Sequence, residues 1–284
     1  MNKLISTSLP IALGLTLLSS VSFAGPFSGM HPLQSDRFNI GLGGYGPDIS
    51  GYFSIDDPDG SDGDEIDVDD DSGLDDDDIL PAVALTWRLS NKLRIQGEYF
   101  TVGQSATKKA TKTIDIGDLE FPVGASLNTD FDVDIGRAFL GYSFIKNDTM
   151  ELGAGLGAHY LGLDISVKGK LHIGDHIDID VPRVARSIDD WAILPNIGGY
   201  ANYAFSPKWL VSGRLDWISA NIGDYDGTLW NVEGHIQYQI TDHFGAGLAY
   251  RYLDLELAGK DTSRGDWDTR LEYSGPLLFV TANF

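Results

Sequence analysis

The sequence predicts an all-β chain: a closed antiparallel transmembrane β-barrel of about ten strands, with eight or twelve as the alternatives. Three observations carry that expectation. Apolar residues recur at every second position through most of the chain beyond residue 37, connections between the alternating segments switch between short and long, and aromatic side chains gather near segment ends.

Taken in order, the first element is not part of the fold. Residues 1–24, "MNKLISTSLPIALGLTLLSSVSFA", join Lys3 to an apolar stretch from Leu4 to Leu18 and end in small residues, the pattern of a secretory signal peptide cut after Ala24. Ser6, Thr7, Ser8 and Pro10 interrupt the stretch, which falls short of the roughly 18 uninterrupted apolar residues a helical span requires. Residues 25–36 are expected to form a periplasmic N-terminal segment, and 37–284 the barrel.

Strands are expected near 37–55, 79–90, 92–104, 131–145, 149–167, 189–205, 208–221, 228–241, 243–257 and 271–284. The clearest alternation lies late in the chain. Trp209, Val211, Leu215 and Trp217 share one face, against Ser212, Arg214 and Asp216 on the other; Trp230, Val232, Ile236, Tyr238 and Ile240 alternate with Asn231, Glu233, His235, Gln237 and Gln239. The connections "SNK", "KNDT", "SPK" and "TDH" are tight, whereas 56–78, 105–130, 168–188 and 258–270 are long, with 222–227 the short exception. Short turns on one side and long loops on the other match periplasmic turns and extracellular loops. Alternating pieces inside the long connections, "TIDIGDL" and "HIDIDV", would extend strands above the membrane or add two more.

A water-soluble barrel would also alternate, but with its apolar face inward and its charges outward. Here one face is small, glycine-rich and charge-balanced. The other is apolar and carries Trp87, Tyr142, Phe144, Trp191, Tyr203, Phe205, Trp209, Trp217, Trp230, Tyr238, Phe244 and Tyr252, mostly near strand ends, as membrane-interface girdles do.

The final segment, "GPLLFVTANF", places Leu278, Val280, Ala282 and Phe284 on one face, and the chain ends on that phenylalanine. It resembles the closing strand of outer-membrane proteins of diderm bacteria, whose terminal Phe belongs to the assembly signal. The short-turn, long-loop hairpins resemble the small monomeric barrels of that class. The resemblance is one of class and extends over nearly all of 37–284. It implies a monomer in the bacterial outer membrane, surrounded by outer-membrane lipid and lipopolysaccharide, delivered by periplasmic chaperones and inserted by the barrel-assembly machinery.

Composition excludes several functions. The chain carries 42 acidic and 20 basic side chains, a net charge of −22, which disfavours nucleic acid and anionic lipid as charge-attracted partners. Without cysteine there is neither a disulfide framework nor thiol catalysis. The acidity is local: residues 56–78, "DDPDGSDGDEIDVDDDSGLDDDD", hold 13 Asp and one Glu and no Lys or Arg. Between the first and second strands they form the first extracellular loop, expected to be solvated. No cofactor is expected beyond weak calcium binding, for which Asp57, Asp59, Asp62 and Asp64 beside Gly60 and Gly63 supply hard oxygen ligands. The spacing departs from an EF-hand, since position twelve from Asp57 or Asp59 is Val68 or Asp70.

Barrels of this class include omptin-like proteases, lipid A-modifying enzymes and phospholipases. An omptin-like site sets an Asp pair against an Asp and a His to activate water, and Asp130, Asp132, Asp175 and His176 could be drawn into it. The sequence around them does not resemble an omptin, and no serine accompanies His159 or His235 in a nucleophile-like setting. The expectation is a barrel that is not an enzyme.

The lumen is where alternation assigns most. Apolar residues outward turn Arg88, Arg94, Glu98, Arg137, Glu151, His159, Arg214, Asp216, Glu233, His235 and Arg251 inward. Five arginines then meet four carboxylates, while Gly153, Gly155, Gly157, Gly245 and Gly247 make room for the long charged side chains. The expected function is structural or surface-interacting, with the lumen plugged by this ion-pair network. The alternative is a narrow, porin-like, cation-preferring pore, and after it an omptin-like surface protease.

Overall fold

The computed structural model describes residues 30–56, 66–67, 79–110, 113–116, 119–121, 123–172, 178–179, 185–222, 225–260 and 266–284. The expected signal peptide and Asp57, Asp59, Asp62 and Asp64 lie outside the described residues. Ten staves form a closed antiparallel barrel: β1 (Phe38–Tyr45, continued by Asp48–Ile55), β2 (Leu80–Arg88), β3 (Leu93–Lys109), β4 (Ser126–Lys146), β5 (Met150–His172), β6 (Ala185–Ser206), β7 (Trp209–Ile222), β8 (Tyr225–Gln239), β9 (Phe244–Gly259) and β10 (Trp267–Asn283). Each expected strand finds its stave. The stretches 105–109, 126–130, 168–172 and 185–188 of the long connections lengthen β3 to β6, whereas "TIDIGDL" enters a separate small hairpin of Ile114–Ile116 with Leu119–Phe121, and "HIDIDV" contributes Asp178–Ile179, paired to the end of β5.

Closure runs through the two ends of the chain. β1 pairs with β10 from Asn39 opposite Asn283 to Tyr45 opposite Leu277. Phe284 donates its N–H to the Phe38 carbonyl at 2.9 Å and accepts from the Phe38 N–H at 2.8 Å. Its ring stacks on His243 at 5.7 Å, so the terminal aromatic sits across the seam between first strand, last strand and last turn. Gly51, at φ 145°, carries the continued half of β1 past the Arg270 carbonyl, where any Cβ would collide.

The four tight turns share one device. Ser90 Oγ, Asn147 Oδ1, Ser206 Oγ and Thr241 Oγ1 each accept from the backbone N–H groups two and three residues on, at 2.8–3.3 Å. A short polar side chain at the first turn position thus satisfies two backbone N–H groups of each reversal.

Alternation keeps its phase along each stave while polarity inverts part-way up. On β9, Phe244, Leu248 and Tyr250 face out, and the same face continues as Asp254 and Glu256; the inner face runs Gly245, Gly247, Ala249 and Arg251, then Leu253, Leu255 and Leu257, all three buried. On β10, Leu278 and Val280 face out below and Arg270 above, whereas Thr281 and Asn283 face in below and Leu271 and Tyr273 above. The lower barrel is therefore built for lipid outside and polar groups inside. The upper barrel has the polarity of a water-soluble protein, with a core of Tyr45, Phe53, Phe100, Val133, Ile135, Leu161, Leu163, Leu194, Ile218, Leu229 and Tyr273.

Aromatics mark the lipid band. The lower ring includes stacked Phe38 and Trp87, stacked Phe205 and Trp209, and Tyr238 at 4.7 Å from Trp209; the upper includes Trp217 against Trp230 at 6.0 Å. Phe244 and Tyr252 stand eight residues apart on β9, roughly 27 Å of strand and about 20 Å of height once tilt is counted, close to the apolar band of outer-membrane barrels.

Candidate functional site in the lumen

Every one of the eleven sequence-assigned lumen residues projects from the inner face, and the five arginines and four carboxylates meet in two layers. In the lower layer Glu151, fully buried, accepts two hydrogen bonds from Arg88 at 2.8 and 2.7 Å, one from Ser143 Oγ at 2.5 Å and one from Asn202 at 3.2 Å. Arg94 and Lys146 stand 3.7 and 3.9 Å away. The Arg94 guanidinium also lies over the Tyr200 ring, 3.3 Å from its centroid. In the upper layer Arg137 binds Asp216 through two nitrogens at 2.6 and 2.9 Å, with Asn196 adding a third bond at 3.2 Å. Arg214 reaches Glu98 at 2.6 Å and Glu233 at 3.4 Å, and Arg251 donates to both of those carboxylates. The Arg251 guanidinium faces the Tyr45 and Phe100 rings at 5.4 and 5.3 Å. It closes the polar layer from above, where the apolar core begins.

The two lumen histidines are accessories to this network. His235 Nδ1 sits 3.4 Å from Glu233, and His159 Nε2 sits 3.4 Å from Asn231. The inward glycines serve a different purpose from the one expected. A Cβ at Gly153 would run into the Tyr200 ring and at Gly247 into Phe279; at Gly155 and Gly157 it would first meet the Leu140 and Ala138 carbonyls and then the Phe139 ring, and at Gly245 it would press on Thr281, Gln237 and Gln239. Most of them clear space for inward aromatic rings, whereas alternation places the aromatics on the lipid face. Tyr200, Asn196 and Asn202 were legible as inward from the even-numbered phase of β6, and Lys146 was not, because a bulge between Ser143 and Ile145 resets its phase.

Below the network, residues 30–36 enter the barrel. Pro32–Ser35 form one helical turn capped by His31, whose Nδ1 accepts from the Leu33 N–H at 3.2 Å. Arg88 donates to the Leu33 carbonyl at 2.7 Å and Gln34 to the Thr149 carbonyl at 3.4 Å, and His31 and Gln34 are fully buried. Between this turn and the ion pairs lies a cavity of about 120 Å³, bounded by Leu33, by the small residues Gly41, Gly43 and Ala84, and by the charged side chains of β7 and β8.

The docked turn is pH-sensitive in a definite direction. Burial pushes the His31 imidazole down to about 4, His235 adds to the effect, and a hydrogen bond with the Lys208 backbone opposes it. Undocked, the ring would titrate near its ordinary 6.5. Docking is thus at full strength above that value and weakens about tenfold per pH unit as pH falls toward 4. Asp36, whose carboxyl is raised by burial, acts in the opposite sense at the acid end. Protease cleavage within 25–36 of the purified barrel is expected to accelerate between pH 7 and 5, and to lose that dependence in His31→Gln; a flat wild-type profile contradicts the assignment.

Of the omptin-like constellation the described residues include only Asp130 and Asp132, and neither faces the lumen. Asp132 and Asp130 share a face of β4 opposite to buried Val133, and so project from the barrel's outer wall, where Asp130 accepts from Ser166 Oγ at 3.2 Å. Asp175 and His176 lie outside the described residues. Among the described residues no group of three or more His, Asp or Glu is disposed to hold a metal ion.

Comparison with known proteins defines the class. The fold matches that of the outer membrane protease OmpT of Escherichia coli, with TM-score 0.55 at 9% identity, over 88% of this chain and 97% of that one. The Ralstonia pickettii toluene transporter TbuX gives TM-score 0.34 at 11% identity over 89% and 91% of the two chains; the Yersinia pestis attachment invasion locus protein Ail gives 0.31 at 8% over 85% and 97%. No family model matches the sequence, and no curated protein does. The chain has the fold of the outer-membrane β-barrels of bacteria.

Proposed function

We propose that this chain is a non-enzymatic, monomeric integral protein of the bacterial outer membrane, with a structural or surface-interaction role and a lumen that does not conduct. The observation that carries the reading is the stack of three fillings along the barrel axis: the helical turn at residues 32–35, the two ion-pair layers, and an apolar core whose Leu161, Leu194, Leu229, Leu253 and Tyr273 are almost wholly inaccessible. An ion entering from below would have to shed its hydration against hydrocarbon, which costs far more than thermal energy supplies. The lipid-facing band and its two aromatic rings support residence among outer-membrane lipid and lipopolysaccharide, and the Phe284 seam supports insertion by the assembly machinery.

The second reading is a narrow pore, favoured by the cavity above the helical turn. Such a pore would prefer anions, not the cations expected from the sequence, because five lumen arginines face four carboxylates. Planar-bilayer recordings of the refolded barrel separate the readings. A silent wild type is expected; discrete openings would replace the plug with the pore.

A further inference from the structure

The lumen cavity has an electrostatic imbalance that its own walls do not resolve. Four arginines line it, Arg94, Arg137, Arg214 and Arg251, but only two carboxylates, Glu98 and Glu233. Asp216 and Glu151, the remaining partners, stand behind the wall and do not border the space. Lys146 adds a further cation 3.9 Å from Glu151, so six cations face four carboxylates and the positive excess belongs to the lumen. Arginine cannot shed its proton to relieve this.

Hydrogen bonding repeats the pattern. Arg94 Nε, Arg137 Nη1 and Arg251 Nη1 are buried and have no hydrogen-bond partner among the described residues, nor has His235 Nε2; Arg214 Nε has only the Asp216 carboxylate at 3.6 Å. Arg94, Arg137 and Arg251 are each better than nine-tenths buried. Buried polar groups are rarely left without a partner, and a buried charge needs compensation. The opposite wall, Gly41, Gly43, Ala82 and Ala84 with Asn39 and Thr86, brings no negative charge to supply it.

We propose that the cavity is a binding site for one small oxyanion of sulfate or phosphate size. Guanidinium groups present N–H donors in the planar geometry that oxyanions accept, and the volume of about 120 Å³ admits such an ion with a few waters. Leu33 forms the floor of the site, so exchange with the periplasm passes the docked helical turn. The site goes beyond the question of conduction: an occupied lumen is compatible with a plug and with an anion pore.

The probe is radiolabelled inorganic sulfate, equilibrated by long dialysis with the full mature barrel refolded in zwitterionic detergent. One saturable site per chain is expected. Gln96→Glu adds a negative charge to the cavity wall at nearly constant shape, and Arg94→Gln removes one of the cations that border the cavity; each should weaken binding at least tenfold while retaining the heat-modifiable gel mobility of a folded barrel. Absence of saturable binding by the wild type would mean that water alone fills the cavity and would overturn the proposal. Binding that Gln96→Glu leaves unchanged would place sulfate on the outer surface, with the same consequence. Openings in a bilayer would overturn the plug but leave the dialysis result standing, so the two failures are distinguishable.

Discussion

Replacing Glu151 by alanine is expected to destabilise the folded barrel by about 3–5 kcal/mol, the cost of leaving buried cations without their partner. Glu151 is the acceptor for Arg88, Ser143 and Asn202 and the nearest carboxylate to Arg94 and Lys146. Its removal strands three cations in one layer, and it frees the Arg88 side chain that also holds the Leu33 carbonyl. The effect should therefore reach the helical turn, appearing as faster proteolysis of 25–36 at neutral pH. The control is Arg270→Ala. Arg270 pairs with Asp254 and Glu256 on the outer wall, is 45% exposed, and should contribute about 0–1 kcal/mol. Denaturant unfolding in vesicles, followed by tryptophan fluorescence, measures both. Comparable losses at the two sites would refute the view that the lower network is dry and tightly coupled.

Leu248→Arg and Glu256→Arg, eight residues apart on the outward face of β9, should differ sharply. Leu248 lies midway between Phe244 and Tyr252, at the centre of the lipid band. A cation there should cost about 2–4 kcal/mol in a bilayer. Glu256 lies above the polarity inversion, where the outer wall meets water, and its replacement should stay within about 0.5 kcal/mol. The same pair in detergent should converge, because a micelle adapts around an arginine more easily than a bilayer does. If Glu256→Arg were as costly as Leu248→Arg in vesicles, the lipid boundary would have to be moved well above Tyr252.

Much of this was open to a reader of the chain alone. Period-two alternation is a local property, set by residues adjacent in sequence, so Trp209 through Trp217 or Trp230 through Ile240 announced a strand and its two faces without any partner. Turn chemistry is equally local, and Ser90, Asn147, Ser206 and Thr241 act within three residues of themselves. The inward assignment of Arg88, Arg94, Arg137, Arg214 and Arg251 followed from phase, because one face had to meet lipid. The polarity inversion was also present in the sequence, as "YRYLDLEL", where leucines take over the positions that Arg251 had occupied. Alternation alone does not reveal it, because the phase is unchanged and only the polarity of each face is exchanged.

Other features depended on register and closure. Which carboxylate each arginine meets is decided between strands far apart in sequence: Arg88 finds Glu151, Arg137 finds Asp216, and Arg251 finds Glu98 on the opposite wall. Alternation fixes a face, but the height of a side chain in the lumen depends on strand tilt and stagger, which only the closed sheet defines. For the same reason Tyr200 and Phe139 could turn inward where glycines on β5 cleared the space, and residues 30–36, which carry no period, could fold into a capped turn once the barrel gave His31 and Gln34 a place to be buried. The chain by itself determined a barrel, its lipid-facing surface and the identity of its lumen charges. The tertiary structure decided their pairing, the charge left uncompensated around the cavity and the stopper beneath it, because those depend on distances across the lumen that no stretch of sequence contains.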